Sequence, residues 1–483
     1  MSEPLLWTLA EASAALAVRR IGAAELARAC LARIADWNPR TNAVLDLRAE
    51  DALAAAAASD ARRTRGAALG PLDGIPLAHK DMFYRVGRIS TCGSAIRRDW
   101  RAPVTATVLA RLDAAGAVDL GTLNMAEWAG GATGHNIHFG DARNPWDSAR
   151  VTGGSSAGTG AAVAARMIFG GLGSDTGGSI RLPAACCGIT GHKPSWGLVS
   201  RHGAMPRAWT LDCIGPLART AEDCALLLAA FAGPDADDPS TDRAAPVAVP
   251  PPADPHGLTI GVDAALLDDA VPSVRATLDE ALAEWRRQGA RIVAVTVPDY
   301  PLLLELVSLV STVEAASLHR AFMRDRPGDY APDLFSRSEP GFHIPAVAYA
   351  DALRLRGPLL RQTVAAVFAA CDLLFTPTIP IEVPTRAGSE VRQAADFARV
   401  HLPMVRHTRP FNYLGSPVLS LPCGFDANGL PVGFQLAGRP GADAAVLAAG
   451  MAWQRATDWH AHCPPAGAGA AQRPIAGTDA AVI

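Results

Sequence analysis

Apolar residues near the start of the chain recur at the spacing of one helical face, at Leu16, Ala23, Leu26, Cys30 and Ile34. This pattern predicts a helix over residues 9–36. Similar runs predict further helices at residues 50–63, 107–115, 157–168, 221–231, 274–288 and 442–457, and a largely helical region at 300–360. Short apolar runs predict strands at residues 75–78, 117–121, 258–262, 290–297 and 368–378, and residues 411–434 alternate turn and strand. The strand, helix and strand within residues 258–297 predict a parallel strand pair.

Glycine and proline interrupt this pattern in three places. Residues 124–144 form a glycine-rich loop, and a loop of that length within a compact domain is usually functional. Residues 233–256 are rich in Pro, Asp and Ala, which indicates a surface connection. Residues 464–483 predict a weakly ordered C-terminal tail.

Composition narrows the class of protein. The chain has 483 residues, of which 49% are hydrophobic and 19% are charged, as in a globular protein with a large core. Its formal net charge is −3 and no basic block stands out, so nucleic acid is not expected as a main ligand. The N-terminus lacks the positive start of a signal peptide, and the longest apolar run, residues 302–313, is interrupted by Glu305. We therefore expect a cytoplasmic protein that does not bind a membrane.

Nine cysteines are scattered along the chain without a C-x-x-C pair. An odd count at these spacings argues against a disulfide framework or a zinc site and favours reduced thiols. We expect neither a metal nor an organic cofactor.

The chemistry concentrates in residues 153–193, which contain two Gly-Gly-Ser units ending at Ser155 and Ser179. Glycine lets the main chain approach a ligand closely. Ser179 follows two glycines and precedes an apolar run at residues 180–187, so it lies at a predicted helix start. The backbone N–H groups of residues 176–179 can there point into one space, as an oxyanion hole requires.

Two other interpretations of this stretch are weaker. A phosphate-binding loop of the G-x-x-x-x-G-K-[ST] type needs a lysine after Gly158, where the chain has Thr159. Residues 154–158 also fit the G-x-S-x-G elbow of α/β-hydrolases, which would make Ser156 the nucleophile and require a downstream acid and histidine, such as His401. A five-residue motif of this kind matches often by chance.

A third interpretation uses both Gly-Gly-Ser units together with Lys80, which ends a short apolar strand. In this arrangement the chain resembles the amidase signature family of serine hydrolases. The resemblance rests on Lys80-Asp81 and on residues 153–194, 211–220, 411–412 and 417–438, and it extends over roughly residues 5–460. It implies an α/β fold with a central twisted mixed β-sheet covered by helices on both faces. It also implies one amidase domain at residues 1–463, with core blocks at about 65–230 and 405–460 and a less typical helical or lid region at about 256–400.

The resemblance assigns a role to each matching residue. Ser179 is implied as the nucleophile, Ser155 as a bridging serine with a cis peptide bond, and Lys80 as the general base. Other implied residues are the oxyanion-hole donors Thr176, Gly177 and Gly178, the supporting residues Ser156, Asp175 and Arg181, and the substrate-pocket residues Met82, Trp128, Gly130, Gly131, Trp209 and Cys213. The chain departs from the family pattern at Ala157, where glycine is frequent.

The implied chemistry places a physical demand on Lys80. Ser179 must lose a proton as it attacks a carbonyl, and a lysine accepts a proton only when it is uncharged. Burial disfavours the ammonium form and lowers the pKa of Lys80 toward working pH. Ser155 then relays protons between Lys80 and Ser179, and water cleaves the acyl-enzyme.

These features predict hydrolysis of the carbon–nitrogen bond of a small-molecule amide, and leave an ester or carbamate open. The expected partner is that small molecule, with no nucleic acid and no membrane, and a homodimer is left open. The alternative is the glutaminase subunit of the glutamyl-tRNA amidotransferase complex, although residues 319–356 show no recognisable feature of that subunit. A catalytically silent scaffold is disfavoured because it would not explain Lys80, Ser155 and Ser179 together.

Overall fold

One sheet of eleven strands runs through the computed structural model, which describes residues 3–391 and 396–465. The strands are β1 Val44–Leu47, β2 Pro76–Lys80, β3 Val118–Leu123, β4 Gly170–Asp175, β5 Thr190–Lys193, β6 Cys213–Ala218, β7 Thr259–Val262, β8 Arg291–Ala294, β9 Leu373–Pro377, β10 Val418–Phe425 and β11 Pro431–Ala437. Their order across the sheet is β1-β3-β2-β4-β6-β5-β10-β11-β9-β7-β8.

The sheet is mixed, as the sequence predicted. β2 pairs in parallel with β3 and β4, and β7 pairs in parallel with β8 and β9. The central pairs β4–β6, β6–β5, β5–β10 and β10–β11 are antiparallel. The parallel pair predicted within residues 258–297 is therefore confirmed as β7 and β8.

Helices flank the sheet. They are α1 Leu9–Ala17, α2 Ala23–Thr41, α3 Ala49–Thr64, α4 Thr107–Ala114, α5 Ala157–Ala164, α6 Arg181–Cys187, α7 Ala221–Phe231, α8 Ala264–Asp268, α9 Pro272–Arg287, α10 Tyr300–Asp325, α11 Pro332–Ser338, α12 Ala346–Ala366, α13 Asp396–Val405, α14 Arg409–Leu414 and α15 Asp443–Ala456. The predicted α/β class, with a mixed sheet covered by helices, is thus confirmed.

Three predicted elements differ from the structure. Residues 411–414, predicted as turn and strand, belong to helix α14. The helix predicted over residues 9–36 is divided into α1 and α2, because Arg19 takes a positive φ of 57° and Gly22 begins the second helix as its N-cap. The helical region predicted at residues 300–360 consists of three separate helices, α10 to α12. Of the predicted tail at residues 464–483, all but the first two residues lie outside the described part of the chain.

Strand β4 was not predicted, because its sequence is rich in glycine. The structure explains this composition. A Cβ atom on Gly171 would lie 2.3 Å from the Ala78 carbonyl oxygen of β2, and one on Gly173 would lie 2.7 Å from Ser156 Oγ. Glycine therefore lets β2 and the start of α5 approach β4 closely, and it is at this approach that the site forms.

Helix α10 is the one helix among the described residues whose length and apolar composition would allow it to cross a membrane. Here Leu303, Val307 and Val310 are buried in a core cluster shared with α12 and α14. This packing gives the apolar face of α10 a role within the folded chain.

All nine cysteines carry free thiols, and eight of them are buried. Within the described residues, no cluster of His, Cys, Asp and Glu is arranged to hold a metal ion.

Candidate active site

The site forms where β2 and β4 lie side by side. Lys80 is the last residue of β2, and its side chain is fully buried. Lys80 Nζ donates hydrogen bonds to Ser155 Oγ at 2.6 Å and to Ser174 Oγ at 2.8 Å. The sequence analysis singled out Lys80 and Ser155 but not Ser174, which lies on the unpredicted strand β4.

Burial changes the acid–base chemistry of Lys80. Removal of its ammonium group from water lowers the pKa of Lys80 from 10.5 to about 7, while the charges of Asp175 and Asp212 act in the opposite direction. Near neutral pH a large share of Lys80 is therefore uncharged and able to accept a proton.

A cis peptide bond joins Gly154 to Ser155, as the resemblance implied. The Gly154 N–H donates to the Ala132 carbonyl at 2.7 Å, and the Ser155 carbonyl accepts from the Ala126 N–H at 3.1 Å. A Cβ atom on Gly154 would lie 2.6 Å from the Gly131 carbonyl oxygen, so only glycine fits there. The predicted glycine-rich loop therefore packs directly on the backbone that carries Ser155.

Ser179 lies between β4 and α6 and is 9% exposed, beside a cavity of about 50 Å³. The Ser156 N–H donates to the Ser179 carbonyl at 3.3 Å, which joins the two Gly-Gly-Ser segments. The Ser156 side chain is fully buried, and its hydroxyl donates to the Ser174 carbonyl at 3.4 Å. Of the two candidate nucleophiles, Ser179 is the one that lines the cavity, which disfavours the hydrolase elbow centred on Ser156.

Three backbone N–H groups, those of Thr176, Gly177 and Gly178, were expected to form an oxyanion hole. In the structure the third of them differs from the other two in its surroundings. Thr176 and Gly177 line the cavity together with Ser179. Gly178 instead donates its N–H to Asp175 Oδ1 at 2.7 Å, so this donor is already engaged. Gly178 is thus corrected from an expected oxyanion donor to a residue that fixes the turn before Ser179.

Asp175 and Arg181 form a fully buried ion pair behind this turn. Arg181 donates to both Asp175 carboxylate oxygens, at 3.0 and 2.9 Å, and also to Asn412 Oδ1 and Gln435 Oε1. Burial is the largest single influence on Asp175 and acts to raise its pKa. The charge and hydrogen bonds of Arg181, together with the charge of Lys193 and a hydrogen bond from Asn412, outweigh burial and hold the pKa of Asp175 well below its usual range. Breaking such a pair costs about 3–5 kcal/mol of stability because one charge is left buried alone.

The expected pocket residues occupy four different places. Gly130 and Gly131 line the cavity beside Ser179, and they also line a second cavity of about 270 Å³. Trp128 is fully buried, and its ring stacks on Phe322 at a centroid distance of 5.7 Å. Trp128 therefore packs beneath the loop and does not face Ser179.

The other three expected pocket residues lie away from this cavity. Met82 and Trp209 line a separate cavity of about 230 Å³, which Ser174 and Asp212 also line. Cys213 is buried on β6, where Lys193 Nζ lies 3.8 Å from its Sγ atom. The structure thus does not bring Met82, Trp209 or Cys213 to the cavity that holds Ser179, because their strands and loops direct them elsewhere.

Three arginines that the sequence analysis missed line the cavity of Ser179: Arg207, Arg337 and Arg409. They come from the loop before β6, from α11 and from α14. The chain has 44 Lys and Arg residues, and no local pattern distinguishes these three. His401 lines the same cavity, and burial lowers its pKa well below the ordinary value.

Known proteins resemble this chain along almost its whole length. The Amidase family model matches residues 25–447. The A subunit of glutamyl-tRNA(Gln) amidotransferase from Azoarcus sp. (strain BH72) is 40% identical, over 95% of this chain and 99% of its own length. A chain solved in work on a vestigial protein complex and the origins of an s-triazine catabolic enzyme has 35% identity and a TM-score of 0.85, covering 93% of this chain and 98% of its own. The A subunit of glutamyl-tRNA(Gln) amidotransferase from Thermotoga maritima has 28% identity and a TM-score of 0.78, covering 96% and 98%.

These relatives contradict the expected partners, which were a small-molecule amide with no nucleic acid and no membrane, and with a homodimer left open. The relatives are named as subunits, and the enzyme to which they belong is named for a tRNA. The expectation of no nucleic acid was drawn from the net charge and the lack of a basic block. Net charge is a weak guide to such partners, because in an assembly the nucleic acid can be bound by another subunit.

Proposed function

This chain belongs to the amidase family of hydrolases, which act on carbon–nitrogen bonds, and we propose that it is the ammonia-releasing amidase subunit of a multi-subunit enzyme. The observation that carries the chemistry is the buried Lys80, whose Nζ atom lies 2.6 Å from Ser155 Oγ. The next residue, Ser156, donates its N–H to the carbonyl of Ser179, and Ser179 lines the cavity. The similarity to the amidotransferase relatives, along nearly their whole length, supports the assembly.

The proposed reaction begins with uncharged Lys80. Ser179 Oγ attacks the amide carbonyl and passes its proton to Ser155, which passes its own proton to Lys80. Negative charge develops on the carbonyl oxygen, and the backbone N–H groups of Thr176 and Gly177 are the proposed donors to it.

The second half of the reaction returns the proton. Lys80 gives it back through Ser155 to the leaving nitrogen, so that ammonia departs and an ester to Ser179 remains. Water then attacks the ester as the same groups accept and return its proton, which frees the carboxylic acid and restores Ser179.

Two amides are candidates for this site. The relatives favour glutamine, with its ammonia used to amidate glutamyl-tRNA(Gln). A different acid amide is favoured by the charge of the cavity, because its described lining includes Arg207, Arg337 and Arg409 and neither Asp nor Glu. The α-ammonium group of glutamine would lie beside these three arginines, and like charges repel.

The assembly is tested by measuring ammonia release from glutamine with the full chain alone, and then after co-expression with the other amidotransferase subunits of the source organism. The complex is also tested for conversion of glutamyl-tRNA(Gln) to glutaminyl-tRNA(Gln). We expect the co-expressed subunits to co-purify with the chain and to raise ammonia release, and Ser179→Ala in the same complex to abolish it. Ser179-independent ammonia release, or failure of every candidate subunit to co-purify, would contradict the proposal.

A further inference from the structure

Arg207 is a buried cation with an unsatisfied hydrogen-bond donor. The residue is 8% exposed, and its Nη1 atom is buried without a hydrogen-bond partner among the described residues. A buried guanidinium group in this state is costly unless an anion meets it. Because Arg207 lines the cavity of Ser179, a bound substrate can supply that anion.

Two neighbouring arginines, Arg337 and Arg409, add positive charge to the same cavity and so favour the binding of an anion. Burial and then the charge of Arg337 lower the pKa of Arg207 to about 10, and the same two causes lower the pKa of Arg409 to about 10. Both groups remain charged near neutral pH, so three cations share one cavity wall. Arg337 pairs with Asp333 at 2.8 Å, and Arg409 Nη1 donates to Ser308 Oγ at 3.0 Å.

Asp212 is an acid whose charge acts on Arg207, and both of its carboxylate oxygens are already engaged. Asp212 Oδ2 accepts from the backbone N–H groups of Arg207 and Ala208, at 2.8 and 3.0 Å. Its Oδ1 atom accepts from Thr176 Oγ1 at 2.5 Å. Asp212 therefore holds the backbone of Arg207 against the turn that precedes Ser179, and the guanidinium group is left for another partner.

Arg409 is anchored to the same turn. A Cβ atom on Gly177 would lie 3.0 Å from Arg409 Cγ, so the stem of Arg409 packs on the glycine two positions before Ser179. Arg207 and Arg409 thus both adjoin the segment that carries the nucleophile. An anion bound by them would be separated from the scissile carbonyl by only a short chain.

The adjoining cavity of about 270 Å³ does contain carboxylates, which bear on any cationic group of a substrate. Asp333 is paired with Arg337, and Asp141 is paired with Arg386 at 2.7 Å and with His135 at 2.9 Å. Glu127 accepts from Ser94 Oγ and lies 3.0 Å from His138 Nε2. Glu390 is the fourth carboxylate of this lining, and it too has an interaction within the chain. All four carboxylates are committed to residues of the chain, so they offer little counter-charge to an α-ammonium group.

From this arrangement we infer that the substrate is a short ω-amido acid, with a carboxylate bound by Arg207 and Arg409 and without an ammonium group beside it. The inference rests on the proposed hydrolysis of an amide at Ser179. The guanidinium group is suited to this role because its planar array of donors matches a carboxylate.

The test compares three sets of primary amides with the full chain and with its co-purified complex. The carboxylated set is succinamate and glutaramate, the neutral set of matched length is butanamide and pentanamide, and the zwitterionic set is asparagine and glutamine. We expect kcat/KM for the best carboxylated amide to exceed that of its neutral counterpart on the order of 100-fold, as for a buried charge-assisted contact, and to exceed that of the amino acid.

Variants assign the effect to one side chain. We expect Arg207→Met to lower kcat/KM for the carboxylated amides on the order of 100-fold and to change that for the neutral amides by less than about 3-fold. Arg324→Met, at an exposed arginine paired with Asp325 on the surface, is the matched control and should leave both unchanged. Equal rates for charged and neutral amides, an equal loss for both in Arg207→Met, or a preference for glutamine would overturn the inference.

A binding measurement separates this inference from the proposed reaction. Ser179→Ala retains the cavity, and calorimetry should detect glutaramate or succinamate binding to it that weakens on the order of 100-fold when Arg207→Met is added. Carboxylate-selective binding without turnover by the wild type would refute the reaction and keep the anion site. If instead neutral amides are turned over in a reaction that depends on Ser179, and carboxylates are not bound selectively, the anion site is refuted and the proposed reaction is kept.

Discussion

Lys80 and Arg207 are both cationic side chains buried near Ser179, yet burial has opposite consequences for them. Burial lowers the pKa of Lys80 to about 7, so this side chain can shed its proton and become a base. Burial lowers the pKa of Arg207 only to about 10, so the guanidinium group stays charged and requires an anion. The chemistry of a buried cation therefore depends on whether its side chain can become neutral.

The hydrogen-bond partners of Lys80 and Arg207 differ in a corresponding way. Lys80 Nζ contacts two serine hydroxyls, Ser155 and Ser174, which can donate or accept as the lysine changes its charge. Arg207 Nη1 has no partner among the described residues and lines a cavity where a ligand can bind. The first arrangement is complete without a ligand, and the second becomes complete only with one.

The largest effect is expected when the Ser179 hydroxyl, near which both cations are buried, is removed. Ser179→Ala should reduce kcat on the order of 100,000-fold, because no acyl-enzyme can form. Ser156→Ala is the matched control from the same pair of segments, and it should reduce kcat by only about 10-fold through loss of one buried hydrogen bond. Steady-state kinetics and mass spectrometry of the trapped acyl-enzyme measure both. An active Ser179→Ala together with an inactive Ser156→Ala would move the nucleophile to Ser156.

The next test exchanges one kind of cation for the other at the base. Lys80→Arg keeps the charge but cannot release it near neutral pH, so kcat should fall roughly 1,000-fold, as it should in Lys80→Met. Circular dichroism should confirm that each variant is folded before the kinetics are compared. Substantial activity in Lys80→Arg would mean that the charge of residue 80 matters and its proton transfer does not.

The pH dependence sharpens the contrast without a substitution. Because Lys80 acts uncharged and its pKa is about 7, kcat/KM should rise about 90-fold between pH 5 and pH 8 and then level off. Stability follows the same group. Between pH 7 and 10.5 the unfolded chain binds one more proton at this lysine than the native chain, so the contribution of Lys80 to stability increases as pH rises. Thermal unfolding from pH 7 to 9 should show this slope in the wild type and a smaller one in Lys80→Met. A flat activity profile across pH 7 would contradict an uncharged base.

The smallest expected effect introduces a titratable cation at the anion site. Arg207→Lys should bind the carboxylated amides at low pH and lose them as the buried lysine gives up its proton, with KM rising about 10-fold from pH 6 to pH 9. The wild-type KM should stay nearly constant over this range, because Arg207 remains charged. Parallel KM profiles for the two proteins would show that residue 207 does not contact the carboxylate.

The fold class could be predicted from the sequence alone, and so could the three residues to which we assign the chemistry in the proposed reaction. Local periodicity located most helices and strands, and Lys80, Ser155 and Ser179 stand in motifs whose residues are neighbours along the chain. Such features are legible in a sequence because each depends on a few adjacent positions. Strand β4 was among the strands that this pattern missed, since its glycines reflect close approach by Ala78 and Ser156, which are distant in sequence.

Which side chains meet at the cavity depends on the folding of the whole chain and could not be predicted from the sequence. Arg207, Arg337 and Arg409 arise from three elements separated by many residues, and each is an ordinary arginine in its own local context. The same holds for Gly178, whose N–H turns to Asp175, and for Met82 and Trp209, which line another cavity. The physical reason is that convergence, burial and the pKa shifts that follow depend on the path of the whole chain, whereas a sequence motif records only its nearest neighbours.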